Sequence, residues 1–532
     1  GAMMRDKTSA PSKQVSRRSF LGGVGVAGAA AAASSIAAPL VHAGSANASP
    51  GPMCAHAGAS SFGRLFPSLP PFAIDSPQLR AALLDIGRLG GMLDAKDDLA
   101  AGPVRLITDP TLSLVNRNNP THTAGVTFMG QFIDHDITFD AASKLGVATP
   151  PESARNFRTP MLDLESVYGL GPVAQSELYN PRDSILLDLE SGGSFEDLPR
   201  RADGSAIVGD PRNDSNIIIS GLHAAFCAFH NAAVARLRTA GSDPMDVFLE
   251  ARRLTTWHYQ WLVVNQFLPL FVGRQLVDDV LRRGARFYHP HGAASFIPVE
   301  FSGAAYRFGH SMVRPSYRAN LAGDGGHPFF GLVFDATGAT TPSGEPQDLR
   351  GGFRSSRRFV GWQTFFDFGD GAVRPNKRVD TIISTPLFQL PASAIAHLPG
   401  TDPGPIALPQ RTLLRHLTWS LPSGQAVAAR MGLPQLASND LADLAAYDLG
   451  LERNTPLWFY VLREAAVMRD GLTLGPVGGR IVAETLIGLL KADPASYLSV
   501  EPRWAPSLGG SADYDITNFL TFAGVDPTSR GQ

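Results

Sequence analysis

The stretch Gly130-Gln131-Phe132-Ile133-Asp134-His135-Asp136-Ile137-Thr138-Phe139-Asp140 combines three aspartates and one histidine with mostly apolar residues. If this stretch is helical, Gln131 and His135 lie one turn apart on the same face. Asp134 and Asp136 then lie on the two flanks of His135, so the helix can serve two different sites. The alternative is a surface helix with solvated aspartates and a buried, hydrogen-bonded histidine.

The composition favours a globular protein with small-molecule chemistry. The chain has 532 residues, enough for several domains or for one large enzyme domain. Apolar residues make up 44%, charged residues 18%, and the formal net charge is −2. This balance is unlike a nucleic-acid-binding surface or a disordered acidic protein, and we expect no nucleic-acid partner. Cys54 and Cys227 are too few for a disulfide scaffold or a thiolate metal cluster, so each is expected to be a lone thiol.

The N-terminal segment is typical of an export signal. Residues 16–21, Ser-Arg-Arg-Ser-Phe-Leu, precede a mildly apolar run over 22–40 that is rich in alanine and glycine, and A-x-A cleavage sites follow. We expect residues 1–48 to be a tag remnant plus a twin-arginine signal peptide, which would export the protein to the periplasm or the cell exterior. A transmembrane helix is the alternative, but so much Gly, Ala and Ser makes a poor span. No transmembrane segment is expected in the mature protein, because no other stretch approaches a run of about 18 apolar residues.

The body of the chain shows mainly helical periodicity. Apolar residues recur at helical spacing from Leu222 to Leu237, after the N-cap types Asp214 and Ser215. Asp243-Pro244 and Thr455-Pro456 each pair an N-cap type with a proline suited to the first helical position, so each predicts a helix start. A further amphipathic run covers 481–490.

Strand signals are sparse, and the short stretches 331–334 and 381–383 are the candidates. A Pro/Gly/Ser-rich linker over 49–61 precedes the body. We therefore predict one large, mostly α-helical domain over 62–510, with long irregular connections and few short strands. Residues 511–532 are assigned to a C-terminal tail.

Two further motifs carry chemistry. Gly209-Asp210-Pro211-Arg212-Asn213-Asp214 lies at the entrance of a predicted helix, where Arg212 could pair with an aspartate or face a pocket. Tyr306-Arg307-Phe308-Gly309-His310 places a histidine beside a glycine, which would let a flat group approach the backbone. Each motif is weak evidence by itself, and His310 alone is more often a hydrogen-bonded core histidine.

The ordered set of Gly-Gln-x-x-Asp-His-Asp, Gly-Asp-x-Arg before a Leu-His…His-Asn helix, and Arg-x-Gly-His resembles the animal-type haem peroxidases of the peroxidase-cyclooxygenase superfamily, in a bacterial form. Residues 158–169, Trp257-His258-Tyr259-Gln260-Trp261, 421–424 and the segment at Gly475 support this resemblance. It covers about 62–498. It implies the mainly α-helical peroxidase fold, with haem b buried between central helices.

The resemblance assigns roles around the haem. His310 would be the proximal iron ligand, and His135 would be the distal imidazole that moves a proton between the peroxide oxygens. Arg212 would stabilise charge on the departing oxygen, and Gln131 would hold a distal water. Arg307 and Arg415 match arginines near the haem propionates; the alternative for them is a surface salt bridge.

The resemblance also implies a calcium site. In this family the aspartate after the distal histidine, here Asp136, joins a Thr-x-x-x-Asp loop, matched by Thr159 and Asp163. Met161 could add a backbone carbonyl, and hard oxygen ligands of this kind suit calcium. Glu165 stands where the family usually has serine, which changes the charge and the reach of that ligand.

Three positions depart from the family pattern. Asp134 matches a residue that forms an ester with the haem, but Ser215 replaces the glutamate of the second ester. Asn216 replaces the methionine that forms a sulfonium link in one subgroup, so one ester through Asp134, or none, is expected. Thr412 aligns with the asparagine that orients the proximal imidazole, and its hydroxyl could accept the imidazole N–H with shorter reach.

The function that the resemblance implies is an exported haem peroxidase. It would reduce hydrogen peroxide while oxidising a small organic donor or a halide; the sequence identifies neither the donor nor the oligomeric state. One alternative is a haem-dependent fatty-acid dioxygenase, which needs a radical-forming tyrosine three residues before the proximal histidine. That position is Arg307, and Tyr306 on a helix would face about 100° away. The other alternative is a non-catalytic binding protein with the same fold.

Overall fold

The computed structural model describes residues 62–527, except 113, 192–194, 291–294, 396–403 and 511. The predicted signal peptide, the linker 49–61 and Cys54 lie outside the described residues. The described chain is mainly α-helical, as predicted. Cys227 is a buried free thiol, and burial raises its pKa to about 12.

Eighteen α-helices run through the described residues. In chain order α1 to α18 are Pro77–Ile86, Pro103–Thr108, Gly125–Ile137, Glu165–Tyr168, Gly171–Ala174, Ile217–Thr239, Val247–Leu262, Leu268–Val272, Arg274–Arg283, Val299–Ser302, Gly309–Met312, Ala392–Ile395, Leu408–Thr418, Gly424–Met431, Leu457–Arg469, Pro476–Ala492, Tyr497–Val500 and Ile516–Ala523.

The strands are few and short, as predicted, and they pair in twos. In chain order β1 to β10 are Phe62–Gly63, Asn118–Thr123, Tyr179–Asn180, Asp183–Leu187, Glu190–Ser191, Glu196–Asp197, Ile297–Pro298, Ser316–Asp324, His327–Leu332 and Pro375–Lys377. β1 pairs with β7 in parallel, while β2–β10, β3–β4, β5–β6 and β8–β9 are antiparallel. The strand predicted at 331–334 overlaps the last two residues of β9, which ends two residues earlier than predicted, at Leu332. The strand predicted at 381–383 is wrong, because this segment makes a single bridge, from Ile383 to Asp94.

Helix α3 carries the stretch around His135. Eleven of its thirteen residues are buried, so the helix runs through the core rather than along the surface. Gly125, at its start, lies where a Cβ would come within 2.4 Å of the Phe366 ring. The helix ends at Thr138, whose backbone is extended (φ −133°, ψ 138°). The surface-helix alternative is therefore wrong.

Helix α6 begins later than the sequence predicted. Asn216, not Asp214 or Ser215, is the N-cap, because its side-chain oxygen accepts hydrogen bonds from the backbone N–H groups of Ile218 and Ile219. Helix α7 is also displaced, since Asp243 and Pro244 form a turn closed by the bond from the Asp246 N–H to the Asp243 carbonyl. It continues through one π-helical segment, Val263–Phe267, into α8.

The two predicted C-terminal helices are present. The helix predicted from Thr455-Pro456 is present as α15, but it begins one residue later than predicted, at Leu457, with Pro456 at the N-cap. Asp470 in a left-handed conformation (φ 50°) precedes Gly471 at its end. The run predicted over 481–490 lies inside α16.

Helix α6 is the one described helix that is long and apolar enough to cross a membrane. The structure accounts for this apolarity, because 83% of its most apolar window is buried inside the domain. The sequence analysis predicted a helix over 222–237 but did not identify it as long and apolar enough to cross a membrane.

The segment assigned to a C-terminal tail contains α18, which packs along α6. The rings of Phe519 and Phe229 stack with centroids 4.0 Å apart and planes 2° apart, and Phe519 also contacts Phe226 at 4.7 Å. Asp515 caps α18 by accepting from the backbone N–H groups of Thr517 and Asn518. The described residues beyond 510 thus add to the core of the domain.

We predict that Phe519→Ala lowers the free energy of unfolding by about 3 kcal/mol or more, because it leaves a cavity between α18 and α6. Thr521→Ala, on the exposed side of the same helix, should change it by about 0.5 kcal/mol or less. Denaturant titration followed by circular dichroism measures both values. Equal effects of the two substitutions would contradict the packing role of α18.

Candidate functional site

A cavity of about 330 Å³ lies between α3, the 210–216 loop, the 302–313 segment and α13. Of the sequence-predicted residues, the following line it: Gln131, Asp134, His135, Arg212, His310, Arg307 and Arg415. The structure thus brings together side chains that are up to 284 positions apart in the sequence. Thr412 lies behind the wall and contacts His310.

Gln131 and His135 both line the cavity from one face of α3, as predicted for a helix. The Gln131 amide is held at both ends: its Nε2 lies 3.4 Å from the Ser215 hydroxyl, and its Oε1 accepts from Asn216 Nδ2 at 3.3 Å. Asp134 also lines the cavity, and the Thr138 hydroxyl donates to its carboxylate at 3.2 Å. Burial raises the pKa of Asp134, although Arg212 and Arg307 act in the opposite direction.

His135 is oriented by a residue that sequence reasoning missed. Its Nδ1 donates to Asn213 Oδ1 at 2.7 Å, and Asn213 Nδ2 in turn donates to His223 Nδ1 at 3.0 Å. Because Nδ1 carries the proton, Nε2 is the acceptor nitrogen of this imidazole. Burial lowers the pKa of His223 to about 4, so this second imidazole stays neutral near pH 7.

Arg212 is fixed by a buried ion-pair cluster. Its Nε and Nη2 donate to the two carboxylate oxygens of Asp210 at 3.0 and 2.7 Å, and Nη2 also reaches the backbone carbonyl of His135 at 3.0 Å. Arg158 Nε donates to the same Asp210 carboxylate at 2.8 Å. Burial alone would raise the pKa of Asp210, but the two guanidinium groups hold it well below its usual range. The Arg212 guanidinium also lies 4.2 Å from the centroid of the Phe139 ring.

His310 is held as a neutral imidazole. Burial, together with the nearby Arg307, lowers its pKa to about 3. Its Nδ1 lies 3.5 Å from the Thr412 hydroxyl, which itself donates to the Leu408 carbonyl at 3.1 Å. The hydroxyl can therefore accept the imidazole N–H, and Nε2 remains available as a metal ligand. A Cβ on the adjacent Gly309 would meet no atom within 4 Å, so space is open beside the ring.

Arginines gather at one part of the cavity wall. Burial lowers the pKa of Arg307 to about 10, with repulsion from Arg415 adding to the effect. Arg415 pairs with Asp140 at 2.9 Å and is mostly buried, with 11% of its side chain exposed. The salt bridge considered for Arg415 therefore exists, but it lies in the cavity wall and not on the surface. Arg411, which the sequence analysis did not single out, lines the same wall.

Tyr306 lies in the cavity wall together with Arg307. The sequence analysis placed it on an α-helix facing about 100° away, but the segment Ala305–Phe308 is a short 3₁₀-helix. The Tyr306 hydroxyl donates to the Gly130 carbonyl of α3 at 3.0 Å, and its ring stacks on Phe301 with centroids 4.6 Å apart. The phenol thus ties the His310 segment to the helix of His135.

Asp136 points away from the cavity into a second cluster. Its carboxylate accepts from the backbone N–H of Leu164 at 3.2 Å, from the N–H of Ser166 at 3.4 Å and from the Ser166 hydroxyl at 3.3 Å. Ser166, one position after Glu165, thus supplies a hydroxyl that the sequence analysis missed. Burial raises the pKa of Asp136 well above its usual range, and the Asp163 carboxylate adds to the effect.

The other residues of the predicted calcium loop lie nearby. Glu165 accepts from the Thr159 N–H at 2.7 Å, and the Asp163 carboxylate accepts from the Glu165 N–H at 3.0 Å. The Met161 N–H donates to the Thr159 carbonyl. Burial and the Glu165 charge raise the pKa of Asp163 to about 7. Among the described residues, no three His, Cys, Asp or Glu side chains form a group that could hold a metal by themselves, so a cation here would need hydroxyl and carbonyl ligands as well.

The cavity fits haem in three independent respects. The neutral imidazole of His310 can ligate iron, and the open space at Gly309 admits a flat ring. The arginine wall suits propionate groups, because the pKa values of Arg307, Arg411 and Arg415 are lowered by burial and in part by one another. An anionic ligand there would relieve that repulsion.

Comparison with known proteins finds a family whose model matches a segment of this chain that begins after His135. The family model for animal haem peroxidase matches residues 140–327, a segment that includes Arg212 and His310 and ends before Arg415. A peroxidase-like protein from Margaritifera margaritifera is 25% identical over 343 residues, covering 51% of this chain and 42% of that protein. The chain spans 14% to 42% of the length of the first curated relatives that it matches.

Two solved structures share the fold. Peroxidase A from Dictyostelium discoideum matches with a TM-score of 0.59 at 14% identity, covering 87% of this chain and 93% of that one. A fatty acid alpha-dioxygenase from Arabidopsis thaliana matches with a TM-score of 0.53 at 14% identity, covering 87% and 75%. The matched segment and the peroxidase relatives support membership of the animal haem peroxidase family, and the solved structures share the helical fold.

Proposed function

We propose that this protein is an exported haem peroxidase that reduces hydrogen peroxide and oxidises a small organic donor or a halide. One observation carries the proposal: the same cavity is lined by His135 with an acceptor nitrogen, by the fixed cation Arg212 and by the neutral imidazole of His310. Peroxide cleavage requires a base, a charge stabiliser and an iron ligand.

His135 would take a proton from one peroxide oxygen and deliver it to the other. Its Nε2 can accept that proton because Asn213 Oδ1 keeps the ring proton on Nδ1. Gln131, fixed by Ser215 and Asn216, would hold a water or the peroxide beside the imidazole. Both oxygens of the peroxide leave as water once two electrons and two protons are supplied.

Arg212 would stabilise the negative charge that develops on the departing oxygen. Asp210 fixes the plane of its guanidinium with two hydrogen bonds. Because its position is set by buried partners, little reorganisation is needed during the reaction.

Haem b, when bound, supplies the iron redox chemistry that peroxide reduction needs. His310 would bind its iron, with Thr412 accepting the other ring N–H, and Arg307 and Arg415 would hold its propionates. Asp134 is the candidate for one ester to the haem, since Ser215 and Asn216 lack the groups for a second ester or a sulfonium. The missing second ester argues against chloride as the halide.

We propose calcium as the second cofactor, bound by Asp136, Asp163, the Thr159 hydroxyl, the Met161 carbonyl and Glu165. The buried carboxylates that raise one another's pKa support a cation between them. Calcium would link α3, which carries His135, to the 159–166 segment. Glu165 also lies 3.5 Å from Arg158, so its charge is shared with the Asp210 cluster.

Fatty-acid dioxygenation is the second candidate, favoured by the position of Tyr306 in the cavity wall. Its hydroxyl donates to the Gly130 carbonyl, however, which turns the phenolic proton away from a substrate. Oxygen uptake with an unsaturated fatty acid and no reducing donor would favour the dioxygenase. A haem-loaded protein that turns over neither peroxide nor fatty acid would favour a non-catalytic role.

We predict that His135→Ala lowers kcat/KM for hydrogen peroxide with a small phenol by about 100-fold or more, because the proton carrier is lost. His289→Ala, which removes an exposed histidine, is the control and should retain full activity. Steady-state assays on haem-loaded protein, with the haem spectrum recorded for each variant, measure the effect. Equal activity of the two variants would refute the assignment of His135.

We predict that Asn213→Asp moves the acid limb of the kcat/KM–pH profile to higher pH by about one unit or more. The new carboxylate would raise the pKa of the His135 imidazole, so the base becomes protonated at a higher pH. Charged groups near this imidazole include Asp210, whose pKa His135 helps to lower, and Arg212, which donates to the His135 backbone carbonyl.

Asn213→Leu is the matched control for this charge effect. It removes the amide without adding charge, so it should lower the rate at every pH and leave the acid limb in place. An acid limb that moves equally in both variants would contradict a tautomer-setting role of Asn213.

We predict that calcium stabilises the protein most at neutral pH. Without calcium, the raised pKa of Asp163, about 7, means that the folded state resists ionisation. Stability should therefore fall as pH rises from about 4 towards 7, because the unfolded chain ionises first. Calcium should remove this fall, as measured by Tm with calcium or a chelator across that range. An identical pH dependence with and without calcium, or an unchanged response in Asp136→Asn, would contradict the site.

A further inference from the structure

The outer face of α7 carries an aromatic cluster that the proposed reaction does not use. Trp257 and Trp261, from the stretch that supported the family resemblance, lie one helical turn apart, and Trp504 packs against Trp257 with ring centroids 5.5 Å apart. Trp504 also contacts His258 at 4.9 Å, and Tyr514 contacts Trp261 at 5.8 Å. Three of the chain's six tryptophans thus lie in one cluster.

The inner face of the same helix reaches the helix of His135. Tyr259 is fully buried, and its ring contacts Phe132 of α3 at 6.0 Å and Phe226 of α6 at 5.6 Å. Phe132 stacks on Phe226 with centroids 4.4 Å apart. Tyr306 of the cavity wall reaches the same helix, because its hydroxyl donates to the Gly130 carbonyl of α3 at 3.0 Å. Burial raises the pKa of Tyr259 well above its usual range, and Asp136 and then Tyr306 add to the effect. Oxidisable rings therefore extend from the cavity wall into α7.

Further rings connect the inner and outer faces. Phe226 contacts Phe519 at 4.7 Å, Phe519 stacks on Phe229 at 4.0 Å, and Phe229 contacts His258 at 5.2 Å. Phenylalanine is not oxidised at the potentials that oxidise tryptophan or tyrosine, but packed rings leave no solvent gap between Tyr259 and the cluster. Electrons can tunnel through such packed protein far better than through water.

Charge and exposure decide where the path ends. Trp504 and Trp261 are partly exposed, whereas 3% of Trp257 is exposed. The Arg253 guanidinium lies 4.3 Å from the Trp257 ring centroid, and a cation over an indole makes it harder to remove an electron. Trp504 and Trp261 are therefore the outer rings that can be oxidised by the interior and reduced from solvent.

We propose that Trp504 and Trp261 form a second donor-oxidation site, for one-electron donors too large to enter the cavity. This inference rests on the proposed peroxidase function. Reduction of one peroxide to two waters takes up two electrons and two protons. Each of two surface donors gives one electron to Trp504 or Trp261, which pass it inward through the rings of α7. The donors are oxidised by one electron each, the protons come from solvent, and the tryptophans end unchanged.

The test compares two donors on haem-loaded protein with hydrogen peroxide. A small phenol can enter the cavity, whereas ferrocytochrome c, a protein donor, cannot. The double variant Trp504→Phe with Trp261→Phe should oxidise ferrocytochrome c about tenfold more slowly or worse and leave phenol oxidation within about twofold of the parent. Trp362→Phe, a buried tryptophan outside the cluster, is the control and should leave both rates unchanged.

Two readouts separate electron transfer from mere packing. Rapid-freeze EPR after peroxide addition should show an indolyl radical in the parent that is absent from the double variant, while Tm stays close to that of the control. Azide radicals made by pulse radiolysis, without peroxide, should oxidise tryptophan in the full chain and then yield a phenoxyl radical. The double variant should lose that second step.

The outcomes are distinct. Unchanged ferrocytochrome c oxidation in the double variant, or an unchanged indolyl signal, would overturn the second site while the peroxidase function stands. A parent that oxidises neither donor would overturn the peroxidase function, and the surface site would fall with it. In that case the pulse radiolysis result would still show whether the rings of α7 conduct electrons.

Discussion

The site depends on one buried carboxylate, that of Asp210, which is fully enclosed and binds two guanidinium groups at once. A buried charge destabilises the folded state by several kcal/mol unless it is paired and hydrogen-bonded. The ionised Asp210 carboxylate is therefore stable in the core because both arginines bind it. Arg212 then reaches the His135 carbonyl, and Arg158 reaches the Gly209 carbonyl. Breaking either pair would leave an uncompensated charge in the core. The ion pairs of Asp210 thus fix three parts of the site together: the Arg212 guanidinium, the C-terminal end of α3 and the loop that carries Asp210.

This constraint explains how α3 serves two sites. Its C-terminal half presents His135 to the cavity and Asp136 to the 159–166 segment, and both side chains are buried. Arg158 lies between the two regions, since it binds Asp210 and lies 3.5 Å from Glu165. A change of charge in the carboxylate cluster around Asp136 therefore acts through Arg158 on Asp210, which holds Arg212. The cavity and the carboxylate cluster are therefore coupled through α3 and Arg158, although His135 and Asp136 point in different directions from the helix.

The sequence was sufficient to predict the helical fold, because helical periodicity is a local feature. The residues that share the cavity were predicted only through the family resemblance. The sequence was insufficient where three plausible residues compete. Asp214, Ser215 and Asn216 are all suitable N-caps, but Arg200 binds Asp214 at 2.8 Å and Gln131 contacts the Ser215 hydroxyl. Gln131 contacts Asn216 only at Nδ2, so Asn216 Oδ1 can cap the helix. Asn216 is left to cap α6, a choice made by partners far away in the chain. The role of Asn213 could not be predicted for the same reason, since its partner His135 lies 78 positions away.

The arginine wall shows how folding and cofactor binding can be coupled in this cavity. Burial lowers the pKa values of Arg307, Arg411 and Arg415, and neighbouring arginines lower those of Arg307 and Arg411 further. Each side chain also has protein partners, such as Asp140 for Arg415. Their repulsion is a cost that the folded chain carries wherever the wall is formed. A dianionic ligand that binds only the folded state would reduce this cost, and the folded state would gain stability in proportion to the binding free energy. Without a bound anion, the three arginines repel one another and destabilise the folded state. The same repulsion makes the wall selective for an anionic group, because a neutral flat ligand would fill the space without reducing the repulsion.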